Sequence, residues 1–192
     1  CGGGLMSFML LGILNSQASG GAAGGFDLLE TTLISSQTAT ITFNNLDSYS
    51  DYKHLQVRAT VRNASTSTSA DNLGIRFNGD SGSNYAWHSL RGYASAVASF
   101  GSISATSIRT PDIVQRNGGT SGAYGAFVMD VLDFSSSNKN TTVRMLGGLN
   151  GDLQYLALNG GFWNNTSAVT SMNFDPFNDF AAGTRISIYG VK

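Results

Sequence analysis

The stretch HLQVRATVR, residues 54–62, decides the fold class. Leu55, Val57, Ala59 and Val61 fall on one side of an extended chain, and Gln56, Arg58, Thr60 and Arg62 fall on the other. Successive side chains of a strand point to opposite faces. The alternation therefore marks a strand with one face on a core and one on water or a partner. Leu73, Ile75 and Phe77 repeat it against Gly74 and Arg76. YGAFVMDVLD, residues 124–133, is almost continuously apolar and reads as a strand covered on both faces. Segments 28–35, 39–43, 141–146, 153–158, 169–174 and 185–191 carry further strand signatures.

Between these segments lie clusters of Gly, Asn and Ser at 44–45, 65–71, 78–84, 117–122, 135–140, 147–152 and 159–161. Gly and Asn supply the positive φ that tight turns need. No segment keeps a 3.6-residue apolar period over three turns, and no repeat of fixed length occurs. The chain is therefore expected to be all-β. Residues 26–192 would form a single β-sandwich, jelly-roll-like domain.

Composition agrees. Charged residues make up 12% of the 192 positions, about half the usual share. Ser, Thr, Asn and 24 Gly fill the gap. The net charge of −1 argues against a nucleic-acid partner, which needs a basic surface to displace counterions. The single cysteine, Cys1, excludes an intrachain disulfide and fits synthesis in a reducing cytoplasm. The sequons at Asn63, Asn140, Asn164 and Asn165 are then chance products of an Asn/Ser/Thr-rich chain.

Residues 1–25 differ from the rest. Leu5, Met6, Phe8, Met9, Leu10, Leu11, Ile13 and Leu14 form an apolar run interrupted only by Ser7 and Gly12. SQASGGAAGG, residues 16–25, then reads as a flexible linker. The run is far short of the roughly 20 residues that span a bilayer. A signal-peptide core would want a positive leading region. A lipoprotein acylated at Cys1 would continue with a polar tether. The remaining readings are a strand or helix packed on its own domain, and an arm that docks on a neighbouring subunit. The docking arm is the expectation adopted.

The motifs that could carry chemistry are weak. Gly79-Asp80-Ser81-Gly82 looks like the nucleophile loop of chymotrypsin-like proteases, but nothing around His54 supplies the rest of a triad. The same loop offers oxygens from Asn78, Asp80, Ser81 and Asn84, without the spacing of a calcium loop. An Asx-turn network is the simpler reading. His54 and His88 sit in no zinc-binding pattern, and three-residue spacing puts Asp130 and Asp133 on opposite faces of a strand. No phosphate-binding glycine loop occurs. No catalytic residue, metal or cofactor is assigned, and the chain is expected not to be an enzyme. Trp87, Tyr93, Tyr155, Phe162 and Trp163 lie near turns. They are candidates for stacking on sugar rings, or for filling the core and a subunit interface.

Five segments form a recognisable set: RFNGDSGSNY at 76–85, DYKHL at 51–55, KNTTV at 139–143, GFWNN at 161–165 and SIYG at 187–190. Together they resemble β-rich virion structural proteins of marine and freshwater tailed phages, over residues 26–192. The resemblance implies particle structure or host contact and leaves the exact station open. The expectation adopted is a virion component made in the host cytoplasm, a homotrimer with other capsid or tail subunits as partners. A capsid decoration protein or head fibre anchored by its arm is the first expectation. A tail-fibre or receptor-binding module on a host surface glycan is the second. The resemblance brings no catalytic residue.

Overall fold

The computed structural model describes residues 25–67, 70–151 and 153–192. Twelve strands lie within them. They are β1 (Asp27–Leu33), β2 (Ile41–Phe43), β3 (His54–Asn63), β4 (Ala70–Phe77), β5 (Tyr85–Tyr93), β6 (Ala96–Ala105), β7 (Ile108–Arg116), β8 (Gly125–Leu132), β9 (Thr141–Asn150), β10 (Gln154–Trp163), β11 (Met172–Pro176) and β12 (Arg185–Val191). A short 3-10 helix, Leu46–Tyr49, follows β2.

The strands form two layers. The larger sheet runs β1–β12–β3–β8–β9–β10–β5–β6, every neighbouring pair antiparallel. The smaller runs β2–β11–β4–β7, also antiparallel. The layers join where Arg62 and Asn63, at the end of β3, pair in parallel with Gln115 and Arg116 of β7. The chain is thus an all-β sandwich of jelly-roll type, as the period-two pattern predicts.

The alternating residues meet between the layers. Leu55, Val57 and Val61 of β3 are buried against Leu73, Ile75 and Phe77 of β4 in one core. One ring contact crosses between the layers, and others brace each sheet. Phe77 of the small sheet lies 5.9 Å from Trp163 of the large one, and Tyr85 stacks on the same indole at 6.5 Å. Phe43 meets Phe174 edge-on at 6.1 Å. Burial raises the Tyr85 hydroxyl to about 12.

The corner between the layers is polar. Asp71 is 4% exposed, and its Oδ2 accepts from Asn63 Nδ2 at 2.9 Å, Asn178 Nδ2 at 3.0 Å and Arg116 Nε at 3.3 Å. Its Oδ1 accepts from the Asn72 N–H at 2.8 Å. A buried carboxylate is tolerated only when its lone pairs are met in this way.

Several sequence expectations are corrected. Residues 85–116 hold β5, β6 and β7, which the sequence reading did not single out. β5 and β6 alternate with Ser, Ala and Gly, and β7 is broken by Pro111 and by Asp112 at φ 54°, so the hydropathy contrast is faint. Residues 147–150 and 159–161 belong to β9 and β10, not to turns. Gly161 is there for space: a Cβ would stand 3.0 Å from the Ala86 carbonyl and from the Ile108 side chain of the overlying β7. Residues 169–171 precede β11, although Val169 is fully buried. The 124–133 segment is covered on one face only; Ala126 and Val128 are exposed.

Asp71→Ala should lower stability by about 2–4 kcal/mol, because it strands Arg116, Asn63 and Asn178 without their common acceptor. Urea unfolding followed by tryptophan fluorescence measures this. A loss within about 0.5 kcal/mol, as at an ordinary surface site, would contradict it.

Candidate interaction surface

The inner face of the large sheet is the core, and its outer face is bare among the described residues. Register defines rows that cross it. One row reads Thr31, Ser187, Arg58, Val128, Leu146, Leu158, Leu90, Ser99 from edge to edge. Its four central members are apolar and exposed, Leu158 at 56%. The next row reads Ala126, Gly148, Leu156, Gly92, Val97, with Leu156 62% exposed between two glycines. Large side chains thus stand beside sockets one residue deep.

On the other side of the apolar row runs a polar one, Gln56, Asp130, Arg144, Gly160 and His88. Asp130 accepts from Gln56 Nε2 at 2.9 Å and Arg144 Nε at 3.0 Å. Burial works against ionisation of Asp130, but these bonds outweigh it and hold the carboxyl below its ordinary value. The Arg58 guanidinium lies over the rings of Tyr189 and Phe26 at 4.5 and 4.8 Å. Two hollows interrupt the face. One, of about 450 Å³, lies beside Arg58, Val128 and Tyr189. The other, of about 700 Å³, is a trough between Phe162, Ile103 and His88, with Asn140 and Arg144 at its polar side.

The loop of residues 78–84 is a scaffold. Asp80 Oδ2 accepts from the Trp163 indole N–H at 2.7 Å and from Asn84 Nδ2 at 3.0 Å; Oδ1 accepts from the Gly82 N–H at 2.8 Å. Asn78, at φ 52°, accepts on Oδ1 from the N–H groups of Thr170 and Ser171 and donates to the Ala168 carbonyl. Of the four side chains with candidate calcium oxygens, Asn78 and Asp80 have theirs engaged by protein donors. His54 is engaged elsewhere: its Nδ1 accepts from the Asp133 N–H at 2.9 Å. Among the described residues no group of three or more His, Cys, Asp or Glu could hold a metal ion, and no helix is long and apolar enough to cross a membrane.

The aromatic candidates separate. Trp163 is core, and Trp87 packs against the core from the inner face. Tyr93 and Tyr155 stack on each other at 4.6 Å, with Arg91 over Tyr155 and paired with Asp112. Phe162 alone of the five faces outward into the trough. Leu5, Met6, Phe8, Met9, Leu10, Leu11, Ile13 and Leu14 lie outside the described residues. The outer-face leucines escaped the sequence reading. For Val128 the signal is the nearly continuous apolar run of β8, which the sequence reading assigns to coverage on both faces.

No protein-family model matches the chain, and no curated protein matches it. Among solved structures it is similar to an exo-inulinase from Aspergillus awamori, at 11% identity and TM-score 0.36, covering 87% of this chain and 29% of that one. It is similar to the CBM40 of the Ruminococcus gnavus IT-sialidase at 8% identity and TM-score 0.33, covering 85% and 93%. The alginate lyase vAL-1 from Chlorella virus follows at 8% and 0.29, covering 86% of each chain. At such scores no ligand or activity is taken from them.

The Asp80 bonds set a pH dependence. The Trp163 indole first, then the Asn84 amide and the Gly82 N–H, favour the ionised carboxyl and hold it below its ordinary value of 3.8. A group with a depressed folded pKa stabilises the fold above its unfolded value, and that contribution is lost as pH falls through the folded one. The urea midpoint should therefore drop below about pH 4, and Asp80→Asn should flatten that slope. An unchanged slope would assign the acid limb to Asp130 and Asp133, the latter held low by Lys139.

Proposed function

We propose that this chain is a non-enzymatic structural subunit on the surface of a tailed-phage particle, a capsid decoration protein or head fibre. It packs on neighbouring virion proteins through the outer face of the large sheet, and its apolar N-terminal residues anchor it. The observation that carries this reading is the exposed apolar row Val128–Leu146–Leu158–Leu90, bordered by Arg58 at one end and by Asp130 and Arg144 in the neighbouring row. Depletion of charge at the centre with a polar rim is the composition of a protein interface. Contiguous apolar patches of this kind mark interaction sites in soluble proteins. The groups with chemical potential are spent on scaffolding: Asp80 on the Trp163 indole, His54 on a backbone amide. The five-segment resemblance to phage virion proteins supports a place on the particle.

Quantitative mass spectrometry of purified particles should find the chain at tens to hundreds of copies with the heads. Leu146→Lys/Leu158→Lys should abolish incorporation while leaving the melting temperature almost unchanged, since both side chains already face solvent. Absence from particles, or normal incorporation of this variant, would refute the reading.

One observation favours a second reading, a receptor-binding module for a host glycan. The trough presents the Phe162 ring beside His88, Asn140 and Arg144, an aromatic platform with amide and guanidinium donors. On this reading the full chain binds host cells, and Phe162→Ala weakens binding at least about tenfold, equivalent to roughly 1.4 kcal/mol.

A further inference from the structure

The two edges of the large sheet differ in chemistry. β1, at one edge, carries Asp27 and Glu30, which hold the hydroxyls of Tyr52 and Tyr49. β6, at the other, reads AVASFGSISA over ten residues and contains no charged residue and no proline. It pairs with β5 alone among the described strands, so one side of its backbone is left without a ladder. Natural proteins blunt such edges with lysine, proline, inward charges or a very short strand. The small sheet does so at β2, which is three residues long. β6 has only a bulge near its C-terminal end, and Ala96 to Ser102 stay in regular register with β5. Two of its largest side chains project into solvent: Val97 is 73% exposed and Ile103 95% exposed.

We infer that β6 is a docking edge for β6 of a second copy, in antiparallel pairing about a two-fold axis normal to the sheet. A strand run against its own copy about such an axis is antiparallel by symmetry, and the contact is self-complementary. Like charges directly opposite one another destabilise a pair of strands, and β6 has none to oppose. Pairing centred on Phe100 sets Val97 of one copy opposite Ile103 of the other, twice. It covers the two most exposed apolar side chains of the domain with each other. The backbone groups gain the hydrogen bonds that give strand addition its affinity. The axis also keeps both outer faces on one side, so the two large sheets continue into a single one and the apolar surface doubles. This pairing goes beyond the particle assignment and does not depend on it.

Sedimentation velocity on the full chain tests the inference, run on the native sequence and again with Leu158→Lys, which removes face contacts. A dimer is expected in the Leu158→Lys chain. Adding Val97→Lys/Ile103→Lys should convert it to monomer with an unchanged melting temperature. Val97→Lys/Ile103→Glu should restore the dimer, because lysine and glutamate then face each other at both ends. A monomeric Leu158→Lys chain would overturn the inference. So would a dimer indifferent to Val97→Lys/Ile103→Lys, or failure of the lysine–glutamate combination to restore it. A dimer lost on deleting residues 1–24 but insensitive to β6 would assign the contact to that segment and overturn the inference too. None of these outcomes decides whether the chain is found on particles.

Discussion

The architecture turns on a carboxylate. β3 serves the large sheet along most of its length, then passes into the small one at Arg62 and Asn63. At that point three ladders converge, and side chains must take over where backbone pairing changes partners. Asp71 does this by accepting from β3, from β7 and from the segment after β11 at once. A neutral residue could join two of these elements; a carboxylate with four lone-pair sites joins all of them. The corner then fixes how the small sheet lies over the large one, and hence which of the large sheet's faces is buried.

A second joint stands at the other end of the small sheet. The loop after β4 is held by Asp80 to Trp163, and by Asn78 to residues 168–171. Trp163 packs under Phe77 and Tyr85 with its indole N–H satisfied by the same carboxylate. Between the two joints the sandwich is closed by apolar contact. Outside them the large sheet is wider than the small one, and its far side has no second layer among the described residues.

Much of this was legible in the sequence. The alternation of 54–62 gave β3 within one residue, and the strands at 141–146 and 185–191 were found where β9 begins and where β12 lies. The Gly-Asp-Ser-Gly segment was readable as an Asx-turn network. What escaped was of two kinds. β5 and β6 alternate among small residues, where burial follows from a partner strand's proximity and not from hydropathy, and the alternation of β7 is broken at Pro111 and Asp112. The bare outer face was hidden because an apolar run looks alike whether the second face meets its own chain or another. Asp71 could not be singled out, since its partners lie 8, 45 and 107 positions away.

The apolar row of the outer face has a kinetic side. Charged interfaces steer their partners and lose speed as salt rises. The row Val128, Leu146, Leu158 and Leu90 carries no charge and steers nothing. A partner docking on that row alone would meet it at the unassisted pace, on the order of 10⁵–10⁶ M⁻¹ s⁻¹, at any ionic strength. Assembly through such a surface is slow to start, indifferent to the salinity of the surroundings, and durable once water has left the contact.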